Sequence, residues 1–137
     1  MIYRQKWITR QNLKDNREWI YVFGDNLQRL GFGGQAREMR GEPNALVLPT
    51  KYAPDNDDES FFSDAVDHTN GVAWLSIIGT FNIIDVALQR ECCVVIPLDG
   101  LGTGLSELPT RAPKINRLIT SKIEYLEFIF GTKQINY

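Results

Sequence analysis

Apolar residues in this chain fall into short runs of strand length and two long stripes of helical spacing. Ile2 to Ile8 reads as a first strand at a sheet edge, and the stretch from Thr9 to Arg17 that follows is polar. Trp19–Phe23 is an uninterrupted apolar run, the pattern of a strand covered on both faces. Gln35–Arg40 is a short helix candidate that Gly41-Glu42-Pro43-Asn44 breaks. Ala45–Leu48 is another short strand, ending in Pro49-Thr50-Lys51. Tyr52–Glu59 is polar and acidic and reads as an exposed loop, with a shorter helix expected at Ser60–Val66.

The first long stripe runs from Gly71 to Arg90. Trp74, Ile77, Ile78, Phe81, Ile84 and Leu88 share one side of it, and Ser76, Asp85 and Gln89 the other. Cys92–Ile96 is the next strand. Pro113 suits the first turn of a closing helix, with Ile115, Leu118, Ile119, Ile123, Leu126 and Phe130 on one stripe. Strands alternating with helices predict an α/β fold. The expected form is a three-layer α/β/α sandwich on a largely parallel, mixed central sheet. No repeat, low-complexity segment or linker interrupts the chain, so residues 1–137 form one domain.

Composition narrows the function classes. A chain of 137 residues buries about two-thirds of its unfolded surface. Its formal charge of -2 speaks against nucleic-acid binding, which calls for a basic excess or stripe. Arg37 and Arg40 form a small basic cluster, but Glu38 and Glu42 interrupt it, so it reads as a solvated helix face. Cys92 and Cys93 are adjacent within a strand, where a disulfide between them would be badly strained. Reduced thiols in a cytoplasmic protein are the expectation. No signal peptide, membrane span or lipidation motif is read, and no membrane partner is expected. The single histidine, His68, has no His or Cys partners, so neither a metal site nor a nucleophilic triad can be assembled, and no cofactor is expected.

The candidate chemistry lies in two glycine-rich turns, each directly after an apolar strand. The first runs from Gly24-Asp25-Asn26 to Phe32-Gly33-Gly34-Gln35, and the second is Asp99-Gly100-Leu101-Gly102-Thr103-Gly104-Leu105. Glycines cluster after strands where backbone N–H groups approach a ligand closely, and phosphate is the usual ligand. In parallel sheets ligands sit beyond the carboxyl ends of the strands, where both turns fall. Each residue also has a plainer reading. Asp25 or Asn26 could cap its own turn, and the glycines of the second loop could serve close packing alone. Thr50 and Lys51 end the strand between the two loops, and the lysine would bring charge to an anion pocket. Arg37 and Arg111 are candidates on the same logic. Phe32, an aromatic inside a glycine loop, would cover a bound base or sugar.

Together these loops resemble the macro domain family, whose members bind ADP-ribose and sometimes hydrolyse its derivatives. Asn26 with Gly33-Gly34 is similar to that family's first element. Val95-Ile96-Pro97, followed by Thr103-Gly104-Leu105 and Pro109, is similar to its second. Phe23-Gly24-Asp25-Asn26, Pro49-Thr50-Lys51 and Gly100-Leu101-Gly102-Thr103-Gly104 resemble a compact, phage-type variant, across residues 18 to 113. The departures are a single asparagine in the Asp25-Asn26 turn, Ser106 in place of an aromatic, a longer Pro97–Thr103 interval, and no assignable adenine-binding aspartate.

The resemblance implies that Asn26 orients the distal ribose and water, that Gly33 and Gly34 line the channel, and that Gly102 to Leu105 cradle phosphates. If hydrolysis occurs, Asn26, Asp25 or Asp99 would hold the water. It further implies an ADP-ribose-like nucleotide or an ADP-ribosylated protein as partner, and host cytoplasm as the location if the chain is viral. A hydrolase and a non-catalytic binding or sequestering module both remain open. A third reading is a Rossmann-type nucleotide phosphoribohydrolase, whose Gly-Gly-x-Gly-Thr-x-x-Glu motif Gly100–Glu107 faintly resembles. It requires a glycine at Asp99 and the glutamate one position before Glu107.

Overall fold

The computed structural model describes residues 1–67 and 71–136, so His68 lies outside the described residues. Five strands, β1 (Ile2–Gln5), β2 (Ile20–Asn26), β3 (Ala45–Lys51), β4 (Val94–Pro97) and β5 (Thr132–Ile135), form one sheet in the order β3-β2-β4-β1-β5. Every strand pairing is parallel. The antiparallel component of a mixed sheet is reduced, among the described residues, to a single bridge between Lys51 and Phe61. Helices α1 (Arg10–Asp15), α2 (Ala36–Met39), α3 (Val72–Gln89), α4 (Leu108–Arg111) and α5 (Pro113–Phe130) fill the connections. The fold is α/β, as the alternating pattern predicts.

Successive strand residues sort into two apolar clusters, as side chains alternating across a pleat must. Val22, Leu48, Val94 and Ile96 join Ile77, Phe81 and Ile84 of α3 and Ile115, Ile119 and Ile123 of α5. Tyr21, Phe23 and Val95 join Leu13 of α1 with Ala36 and Met39 of α2. Burial on both sides explains why β2 and β4 read as unbroken apolar runs.

Five expectations are corrected. The polar stretch after the first strand contains α1, nucleated by a capping box in which Thr9 accepts from the Asn12 amide and Asn12 from the Thr9 amide. No helix forms at Ser60–Val66; a single 3-10 turn, Asp58–Ser60, precedes it instead. The first strand ends at Gln5, short of Ile8. It also lies inside the sheet, because β5 pairs with its outer side, Ile2 against Thr132. β5 is polar and exposed, so no apolar run announces it. β3 continues through Pro49, which an edge strand tolerates.

α3 alone among the described residues is long and apolar enough to cross a membrane. Its Ile77, Phe81, Ile84 and Leu88 are packed in the core of the domain.

Strand order sets where a ligand can enter. After β2 the chain moves outward to β3, whereas after β4 it leaves in the opposite direction toward β5. The loops beyond two neighbouring strands therefore diverge, and such a switch point opens a crevice at the carboxyl edge. β2 pairs with β4 only at Ile20 and Tyr21, so the two strands part before either glycine loop begins.

Candidate functional site

The first wall of this crevice is held by side chains that bond one another. Asp25 is buried at the end of β2, and Arg40, just past α2, donates to both its oxygens at 2.7 Å. A carboxylate with 2% of its side chain exposed needs such a cation, since desolvation without a partner is costly. Arg40 also donates to the carbonyls of Gly31 (2.9 Å) and Leu30 (3.2 Å), and its guanidinium lies over the Phe32 ring. The basic cluster is therefore not a solvated face, because Arg40 turns inward as the clamp of the loop. Arg37 remains on the exposed side. Asn26 closes the same loop. Its Nδ2 donates to the Leu30 carbonyl at 2.8 Å, and its Oδ1 accepts from the Leu30 amide at 3.3 Å.

The second wall is shaped mainly by backbone. Gly100 and Gly102 have φ of 91° and 80°, where a side chain is strained. At Gly102 a Cβ would also lie 2.2 Å from Leu108 Cδ1. Packing and backbone conformation thus account for Gly102. They do not account for Gly104, where φ is ordinary and an added Cβ would meet nothing within 4 Å. The Thr103 hydroxyl donates to the Asp99 carbonyl at 3.0 Å. Among the described residues, the backbone N–H groups of Gly102 to Ser106 donate to no protein acceptor, and neither do those of Gly33 and Gly34.

The two loops meet. A Cβ on Gly24 would lie 3.6 Å from the Gly102 nitrogen, and one on Gly33 would lie 2.9 Å from Leu105 Cδ1. Ser106 donates to Thr50 Oγ1 at 2.8 Å, and Thr50 donates to the Asp25 carbonyl at 3.2 Å, tying the end of β3 to both walls.

Between the walls lie two adjoining chambers that share Gly24, Gly33, Leu105 and Ser106. The inner one, about 100 Å³, is lined also by Asp25, Asn26, Arg40, Thr50 and Lys51. The outer one, about 230 Å³, is lined also by Lys6, Trp7, Gly34, Gln35, Asp99, Gly100, Gly102, Thr103 and Gly104. Of the candidate site residues, Phe32, Arg37 and Arg111 line neither chamber, and Phe32 is 66% exposed, outside the cleft. Gln35 spends its amide on the backbone of Ile8, 2.8 Å in each direction. Arg111 lies behind the cleft, stacked on Phe61 and paired with Asp58 and Glu107.

Lys51 is the notable cation. It is 6% exposed, donates to the Asp55 carbonyl at 2.7 Å and sits over the Phe61 ring, and it forms no ion pair among the described residues. Burial holds its pKa below the ordinary lysine value, with Arg111 adding to the effect and Asp55 and Glu107 opposing it. Lys51 thus lines the inner chamber with its ammonium held by a carbonyl and a ring rather than by a carboxylate.

The chain belongs to DUF7831, a family of unknown function whose profile matches residues 3–122. No curated protein and no solved structure matches it. The region matched to DUF7831 takes in both loops and every residue that lines the two chambers.

Sequence reasoning missed Arg40, Ser106, Lys6, Trp7 and Leu30 as parts of this site. For Arg40 a signal existed: an aspartate ending an apolar strand requires a cation, and the nearby helix supplies one. Within this DUF7831 domain the arrangement offers amide donors and a cation to an anion. Of its carboxylates, Asp25 is saturated by Arg40, while Asp99 is exposed at the rim of the outer chamber.

Proposed function

We propose that the cleft binds ADP-ribose or a related nucleotide-sugar diphosphate, in the manner of the macro domains whose loops it resembles. The observation that carries this reading is the row of amides from Gly102 to Ser106 that meet no acceptor among the described residues, with Gly104 left open beside it. Such a row suits a pyrophosphate, whose oxygens accept several N–H bonds at once. Gly33 and Gly34 supply further donors from the facing wall, and Lys51 supplies the charge that neutral amides lack. The chambers are smaller than the 300–1,000 Å³ typical of sites that enclose a whole ligand. Diphosphate and distal ribose fill them, and the base rests at the mouth, where Trp7 and Leu105 expose apolar surface.

Hydrolysis of an ADP-ribose derivative is the enzymatic form of this proposal. Asp99 is then the group that activates water, since Asp25 has no free oxygen. The same saturation of Asp25, with the Asn26 amide committed to Leu30, favours a second reading: a module that binds or sequesters the nucleotide without turnover.

Calorimetry with ADP-ribose tests the site. Binding is expected for the native chain, with at least tenfold weakening in Gly104→Glu, which adds bulk and negative charge to the open face of the loop. Unchanged affinity in folded Gly104→Glu would overturn the assignment. Turnover of ADP-ribose-1″-phosphate and of ADP-ribosylated protein separates the two readings. A hydrolase loses that turnover in Asp99→Asn while retaining affinity, and a binder has none to lose.

A further inference from the structure

Seven large apolar side chains stand exposed on two helices that touch each other, and none of them lines either chamber of the cleft. On α3 they are Val72, Leu75, Ile83 and Val86, and on α5 Tyr125, Phe128 and Ile129. Phe128 is 86% exposed. The α3 residues, with Gly79 between them, repeat at spacings of three and four, so they form a stripe on the side opposite Ile77, Phe81, Ile84 and Leu88. A solvated helix face normally carries charge. Here Asp85 is the only charged residue from Val72 to Gln89, and at about 100° per residue it falls off the stripe. The 18-residue helix has a mean hydropathy of 1.5, yet only 33% of it is buried in the domain.

We propose that this outer face of α3, flanked by the exposed end of α5, is the surface through which two copies of the chain associate. The choice of a second copy rests on charge and shape. In a two-fold interface a patch meets itself, so any net charge on it would face like charge. This stripe carries none. No lysine or arginine occurs within α3 from Val72 to Gln89, and Lys114 and Arg117 of α5 stand beside Trp74, off the stripe.

The stripe is also nearly palindromic. With two α3 helices antiparallel and centred on Gly79, Val72 of one copy meets Val86 of the other, Leu75 meets Ile83, and Gly79 faces its own mate. Glycine is unfavourable inside a helix. A Cβ built at Gly79 meets nothing within 4 Å, so the position is an open gap at which the two helices can approach closely.

Sedimentation equilibrium of the full chain tests this association. A dimer is expected, with its dissociation constant raised at least tenfold by Ile83→Glu, which puts a charge against its own mate. Gly79→Leu is expected to do the same by filling the gap. As leucine is the better helix former, Gly79→Leu should hold or raise the melting temperature, so loss of the dimer could not be ascribed to unfolding. Three results would overturn the proposal: a native chain that stays monomeric at its highest soluble concentration; a dimer that both variants leave intact; or a monomer that co-sediments with phosphatidylcholine vesicles and is released by Ile83→Glu. ADP-ribose affinity should be the same in both variants, so the outcome is independent of the cleft.

Discussion

The two glycine-bearing walls of the cleft are built in opposite ways. In the first, the polar side chains are consumed internally: Arg40 holds Asp25, Leu30 and Gly31, and Asn26 holds Leu30. In the second, few side chains bond anything. The Leu98–Ser106 turn is shaped by main-chain bonds at its ends, Gly100 to Pro97 (3.1 Å) and Leu108 to Gly102 (3.0 Å), and by the packing of Leu108. A wall whose groups satisfy each other keeps its shape but has little left to offer a ligand. A wall with free amides has donors in reserve and depends on glycine geometry to aim them. Residues that look reactive on paper, Asp25 above all, here belong to the wall that holds position.

The sharpest way to break this contrast is at Gly102. Gly102→Ala combines a left-handed φ with a Cβ 2.2 Å from Leu108, so a stability loss of about 3 kcal/mol or more is expected in urea unfolding. A loss under about 1 kcal/mol would mean that the second wall yields easily and is not set by its backbone. Next in size is Arg40→Met, which strands a buried carboxylate and should cost about 3 kcal/mol, toward the lower end of the range for broken buried pairs because Arg40 keeps some exposure. Adding Asp25→Asn should restore much of that, and a double-mutant cycle reads the coupling. Additive losses would show that the first wall is not held by this pair.

Lys51 bears on the cleft that both walls enclose, and its effect is in pH. Because the fold lowers its pKa, the charged form is the disfavoured one, and stability of the free protein should rise as pH climbs through the folded value toward 10.5. Anion binding needs the charged form, so ADP-ribose affinity should fall over that same window. Lys51→Met should weaken binding by about tenfold below it and flatten the titration. A pH-independent affinity in the native chain would remove Lys51 from the site. The smallest effect belongs to Gly104→Ala, expected to change stability by less than about 0.5 kcal/mol, since its Cβ meets open space. A larger loss would place Gly104 with Gly102 as a packing glycine.

Much of the architecture was legible before any coordinates. The apolar runs at Trp19–Phe23 and Cys92–Ile96 and the stripes that became α3 and α5 report burial directly, because a strand or helix must turn its apolar positions toward a core. The two glycine loops were legible too, since phosphate-type approaches and left-handed turns both require that residue. β5 was not, because Thr132–Ile135 has no burial pattern and is a strand only through bonds to β1. α1 was hidden for a related reason, resting on a six-residue helix and a reciprocal cap.

The sequence on its own determined which segments are buried and where the chain can turn sharply, as both depend on neighbours a few positions away. Tertiary structure alone decided that Arg40 faces Asp25, that Lys51 lies buried with no ion pair among the described residues, and that Gly24 comes to rest against Gly102. Those relations join residues up to 78 positions apart through a strand order that no local pattern encodes.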